Sequence, residues 1–152
     1  MEKIILSDTS CLILLEKIGE LELLHSLFGT LTITPEISEE YKKPLPSWIQ
    51  IESPKNKTYQ LILEASLDKG ESSAIALCLE RKNPLLIIDD LKGRKLAGSL
   101  EINIIGSLGI LILAKRKKII FSIKPVLEKI KRTDFRISKE LEKTVLYLCH
   151  EE

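Results

Sequence analysis

From Lys3 to Leu15 the chain reads K-I-I-L-S-D-T-S-C-L-I-L-L. Ile4, Ile5 and Leu6 form a continuous, partly β-branched apolar run, the pattern of a strand buried on both faces. Ser7, Asp8, Thr9 and Ser10 then arrive together, and the apolar residues Leu12, Ile13 and Leu15 follow at once. The stretch predicts a buried strand giving way to a helix, with a carboxylate at the junction. The arrangement recurs. Leu85 to Ile88 is a second such run, followed by Asp89-Asp90 and a helical segment carrying Arg94, Leu96 and Ala97. Ile102 to Ile105 is a third, followed by Gly106-Ser107 and a helix over Leu108 to Lys115. Strands alternating with helices imply an α/β fold with a parallel sheet and right-handed crossovers.

The remaining segments fit between these. Leu21, Leu24 and Leu27 mark a short helix ending near Phe28-Gly29, glycine being a common terminator. Leu31 to Thr34 reads as another strand, and Thr34-Pro35 as a helix start with Thr as cap and Pro in the first turn. That helix carries Glu36, Glu39 and Glu40 beside Ile37 and Tyr41, and ends before Pro44. Residues 43–56 read as a loop anchored by Trp48-Ile49, and a helix is expected from about Tyr59 to Leu67. Glu71 opens the next helix, whose small apolar middle (Ala74, Ile75, Ala76, Cys78) suits tight packing on a sheet. A fifth, short strand is expected near Ile119-Ile120, and two final helices near 123–131 and 138–149. The sheet therefore has four to five strands.

Bulk properties exclude several classes. A chain of 152 residues suits one domain over residues 1–152 that needs no metal or disulfide staple. The net charge of +1 gives no overall pull toward nucleic acid, so any such argument rests on local clusters. Cys11, Cys78 and Cys149 form no C-x-x-C pair, which favours reduced, packed thiols in a cytoplasmic chain over a zinc ribbon. The first apolar run is interrupted by Asp8, unlike a signal peptide. Ile102 to Ala114 falls short of a membrane span. Aromatics are 5% of residues, against a stacking-rich RNA reader.

What remains is a set of acids. Asp8 and Asp89-Asp90 follow parallel strands and so share one sheet edge, where ligands of open α/β sheets bind. Glu40 and Glu71 lie in helices able to overhang that edge. Acids gathered there would repel one another, and a hard divalent cation with oxygen ligands would relieve the repulsion. Each acid also has a structural reading. Asp8, Thr9 or Ser10 caps a helix, worth about 1 kcal/mol. Glu71 at a helix N-terminus gains about 0.3–1 kcal/mol from the macrodipole. Glu40 is a solvated helix residue four positions from Glu36, and Asp90 lies four before Arg94, the spacing of an intrahelical ion pair. Arg94 either orients Asp90 or binds a phosphate bidentately. The cations Lys92, Arg94 and Lys95 suit an RNA backbone. Those at Lys115-Arg116-Lys117-Lys118 follow a helix end, where cations are favoured anyway. A haloacid-dehalogenase-type phosphotransferase needs D-x-D, and position 10 is Ser. A dinucleotide site ranks lower still, because G-S-L-G at 106–109 lacks the first glycine turn and follows the fourth strand.

The segments D-T-S at 8–10, P-E-I-S-E-E at 35–40, G-E-S-S-A-I-A-L at 70–77 and I-I-D-D-L-K-G-R-K-L-A at 87–97 resemble the PIN domain. More narrowly, they resemble the branch of predicted nucleases related to VapC toxins, which G-S-L-G-I-L-I-L-A-K at 106–115 and F-R-I-S at 135–138 also fit. The resemblance implies a three-layer α/β/α sandwich whose clustered acids bind Mg²⁺ or Mn²⁺ and cleave single-stranded RNA. Carried over by position, Asp8, Glu40, Glu71 and Asp90 are the catalytic, metal-binding acids, with Asp89 adjacent. Ser10 is the small polar residue near the metal. Of the two readings of Arg94, orienting Asp90 is preferred to contacting a phosphate, and Lys92 and Lys95 suit the RNA backbone by their charge alone. Glu36 and Glu39 compete with Glu40. Asp89 stands in a strand end where many members have T-x-D. The same resemblance implies the toxin half of a toxin–antitoxin pair, with an antitoxin protein as partner and a homodimer; the cytoplasmic location is the expectation from the reduced thiols. The alternative is a catalytically inactive PIN-like module that binds RNA or protein.

Overall fold

The computed structural model describes residues 3–152. Five strands form one parallel sheet: β1 (Ile5–Ser7), β2 (Leu31–Ile33), β3 (Ile49–Ile51), β4 (Leu85–Ile87) and β5 (Asn103–Ile105), in the order β3-β2-β1-β4-β5. Every pairing is parallel, with Leu6 opposite Thr32 on one side of β1 and opposite Leu86 on the other. The helices are α1 (Thr9–Lys17), α2 (Glu22–Phe28), α3 (Pro35–Tyr41), α4 (Lys57–Leu63), α5 (Lys69–Leu79), α6 (Leu91–Ser99), α7 (Ser107–Arg116), α8 (Lys124–Lys131) and α9 (Lys139–Leu148). They sandwich the sheet, giving the expected α/β/α architecture.

Burial explains the sheet's sequence. Ile5, Leu6, Leu31, Ile33, Leu86 and Ile87 are all buried, as continuous apolar strands covered on both faces must be. Along α5, Ser72 to Cys78 is buried throughout, and α5 packs on α3, α4 and the sheet. Leu12 and Leu15 of α1 join the same core. Cys11, Cys78 and Cys149 are buried and unpaired. No helix among the described residues is long and apolar enough to cross a membrane.

The chain leaves β1 toward β2 and β3, then returns to place β4 on the other side of β1. The order therefore reverses between β1 and β4. Crevices form at such a reversal, outside the carboxyl ends of the strands.

Three elements depart from expectation. The fifth strand is Ile49–Ile51, inside the stretch read as loop, while Ile119-Ile120 lies in a turn. β3 is an edge strand in which only Ile49 is buried, so it leaves almost no apolar alternation to read. Trp48 just before it stacks on His25 with ring centroids 5.1 Å apart, which supplies the anchor. The helix read over 59–67 spans Lys57–Leu63 and is capped by Asn56, whose side chain accepts the Thr58 N–H. α5 begins at Lys69, capped by Asp68, two residues before Glu71.

Candidate active site

β1 ends at Ser7, and Asp8 continues in extended conformation as the N-cap of α1. Its Oδ1 accepts the Cys11 N–H at 2.9 Å, which satisfies one of the first-turn donors. Its Oδ2 accepts the Asp89 N–H at 2.9 Å, from the end of the neighbouring β4. One carboxylate thus caps a helix and ties two strand ends across the sheet's reversal point. Asp8 is only 3% exposed. Burial, and then repulsion from the Asp89 carboxylate, push it up to about 7, despite the two backbone N–H groups that favour its charged form.

Two further elements bring acids to this edge. Asp68 caps α5 by accepting the Glu71 N–H at 2.8 Å, so Glu71 stands in the helix's first turn. From α3, Glu40 accepts the Thr9 hydroxyl at 2.9 Å. Gly70 makes room for that reach, because a Cβ there would run into the Glu40 carboxylate. Asp8, Glu40, Asp68 and Glu71 line one cavity of about 270 Å³, with Thr9 and Ser10 beside them. Burial pushes Glu71 up to about 7, with Asp68, Asp90, Asp8 and Glu40 adding repulsion. Glu40 is also raised, by partial burial opposed by the Thr9 hydrogen bond.

Asp89 and Asp90 lie alongside this cavity and differ from each other. Asp89 accepts the Ser107 N–H at 2.8 Å and the Ser107 hydroxyl at 2.5 Å. Both of its oxygens thereby hold the start of α7, whose cap residue Gly106 has no side chain to offer. Asp90 is exposed and caps α6 through Oδ2, which accepts the Gly93 N–H at 3.0 Å. Arg94 does not form the expected ion pair with Asp90. Its Nη1 donates to the Ile88 carbonyl at 3.0 Å, because capping turns the Asp90 carboxylate toward its own helix while Arg94 lies against Gly106. Lys92 and Lys95 are exposed on α6 and do not line the acidic cavity. Glu36 bonds Gln60 at 2.5 Å, away from the cavity, whereas Glu40 lines it.

The donor set suits a hard cation, since carboxylate oxygens with no thiol or imidazole among them match the preferences of Mg²⁺ and Mn²⁺. Each Asp8 oxygen accepts one N–H and keeps a lone pair free. The site is not a closed cage: among the described residues, no three His, Cys, Asp or Glu side chains form a group that could hold an ion. Asp68 is the member of the site that sequence reasoning misses. Its signal lies in D-x-x-E at 68–71, a helix-start pattern that places cap and first-turn acid together.

A family model described as a PIN domain matches residues 4–151. The chain belongs to the PIN-domain family. PIN domains are generally nucleases that bind divalent metals and engage nucleic acid. Searches of the curated proteins and of the solved structures found no match.

Proposed function

We propose that this chain is a divalent-metal-dependent endoribonuclease that hydrolyses phosphodiester bonds of single-stranded RNA. The observation that carries the reading is the convergence of Asp8, Glu40 and Glu71 on one cavity, with Asp90 close enough to repel Glu71. Those four acids would hold Mg²⁺ or Mn²⁺, with Asp89 behind them. When bound, the ion polarises the phosphoryl group and lowers the pKa of water. The chain's own residues do the positioning. Asp8 is fixed by two backbone N–H groups, Glu40 by Thr9, and Glu71 by the Asp68 cap. Ser10 lies at the cavity wall, and Lys92 and Lys95 neutralise phosphates of the bound strand.

The proposal extends to the toxin of a toxin–antitoxin pair, with an antitoxin protein as partner, a homodimer and a cytoplasmic site of action. The toxin, antitoxin and homodimer parts rest on the likeness of the sequence motifs to the VapC-related branch, and the cytoplasmic one on three buried free thiols. A second reading, an inactive module that binds RNA or protein, is favoured by one fact: no closed group of ligands is assembled among the described residues. The two separate on cleavage of single-stranded RNA with Mg²⁺ or Mn²⁺ against chelator. Asp8→Asn and Glu71→Gln should each abolish metal-dependent cleavage while circular dichroism stays unchanged. Cleavage at the wild-type rate in both would refute the nuclease assignment, and tight binding without cleavage by the wild type would establish the second reading.

A further inference from the structure

The acidic cavity does not end at its acids. Ser10 and Ile13 are shared with a second cavity of about 310 Å³, which Leu14, Lys17 and Phe135 also line. Lys17 is shared in turn with a third, of about 570 Å³, bounded by Lys129 and Arg132. Ser10, Leu14 and Lys17 are spaced four and three residues apart on α1, hence on one face. The three depressions thus run as a trough from the acids along α1, over about 10.5 Å of helix.

The trough changes character along its length. It begins with carboxylates, continues over Ile13, Leu14 and the half-buried ring of Phe135, and ends among Lys17, Lys129 and Arg132, with the exposed carboxylate of Asp134 lining both outer cavities beside them. Phe135 is held by a turn in which the Thr133 hydroxyl accepts the Phe135 N–H at 3.1 Å and donates to Ile130 O at 2.6 Å. The cations have partners: Lys17 lies 3.5 Å from Asp134, and Lys129 lies 3.5 Å from Glu20. Such exposed pairs hold weakly and exchange readily for a phosphate. Lys129 and Arg132 sit at the C-terminal end of α8, where cations are favoured for structural reasons. Lys17 is likewise the last-turn cation of α1, so helix ends account for each charge singly. They do not account for cations from two helices lining one cavity, nor for the aromatic ring between them and the acids.

We infer that this trough is the track of the single-stranded nucleic acid: a base lies on Phe135, and the backbone leading from the acidic cavity passes Lys17, Lys129 and Arg132. The inference rests on the nuclease reading and names the substrate-binding residues of that site. A basic groove tracking the backbone, with an aromatic platform for a base, is how single strands are bound without sequence preference.

The test is binding of a fluorescent single-stranded RNA oligonucleotide, in chelator and over a series of salt concentrations, read by anisotropy. K17Q/K129Q/R132Q should weaken binding and reduce the salt slope by about 2, since each phosphate contact on a single strand contributes about 0.7. K3Q/R81Q/K82Q, with the same charge removed at the opposite edge of the sheet, should leave the slope unchanged. F135L, which keeps an apolar side chain, should weaken binding about fivefold with no change in slope. Equal losses in both triple variants, or none in the first, would overturn the track, as would competition by poly-glutamate as effective as that by RNA. Metal-dependent cleavage by the wild type alongside those results would leave the nuclease reading standing. Binding along the trough with no cleavage in any divalent ion would overturn that reading and keep the track.

Discussion

Asp8 Oδ2 accepts the backbone N–H of Asp89 at 2.9 Å, joining the carboxyl ends of two adjacent strands whose residues lie 81 positions apart. The acid that opens α1 is therefore also the clasp of the sheet's reversal point. Buried there beside a second carboxylate, it is pushed up to about 7.

Stability should fall as the pH rises. A carboxyl whose folded value stands near 7 against an ordinary 3.8 keeps its proton in the native state after the unfolded chain has lost it. Its contribution is complete below about pH 4, declines through pH 7 and is flat above. At about 1.4 kcal/mol per pH unit, the loss from Asp8 is on the order of 4 kcal/mol. Glu71 shifts in the same direction. Urea unfolding between pH 4.5 and 8 should show the decline in the wild type and a shallower one in Asp8→Asn.

Divalent cations should act in the opposite sense. Under the nuclease reading they bind the deprotonated acids, so Mg²⁺ or Mn²⁺ should raise Tm more at pH 8 than at pH 5. Thermal melts with and without each metal check this. An equal shift at both pH values would argue that the ions bind elsewhere.

Asp89 and Asp90 should separate cleanly. Asp89→Ala removes the acceptor for both the N–H and the hydroxyl of Ser107, and should destabilise by about 1–3 kcal/mol. Asp90→Ala should cost about 1 kcal/mol of capping, whereas Asp90→Asn keeps the cap. Under the nuclease reading both Asp90 variants lose cleavage. Urea unfolding paired with a cleavage assay distinguishes the two positions.

Gly70→Ala isolates the role of Glu40. Alanine is the better helix former by roughly 1 kcal/mol, so Tm should hold or rise. Its Cβ displaces the Glu40 carboxylate, a mobile side-chain end, from the cavity. Cleavage should drop at least tenfold in a protein no less stable than the wild type. A retained rate would remove Glu40 from the proposed ligand set.

The alternation of strand and helix, the buried strands β1, β2 and β4, and the acids at the ends of β1 and β4 were all legible in the chain. Local rules govern each of them: apolar runs bury, and a polar residue at the junction caps the next helix. The caps Asp8, Thr34 and Ser138 obey the same logic. β3 escaped because a three-residue edge strand with one buried side chain has no periodicity, and its hydrogen bonds come from β2, not from its own sequence.

The residues alone settled that carboxylates would stand where strands turn into helices, since that depends only on neighbours a few positions away. Which carboxylate does what was decided by packing. Asp89 is engaged with Ser107, Asp90 faces solvent, Arg94 turns to Ile88, and Asp68 joins Asp8, Glu40 and Glu71 in one cavity. The reason is electrostatic: burial and repulsion set a carboxylate's charge and partners, and the groups that exert them are brought close only when the sheet closes.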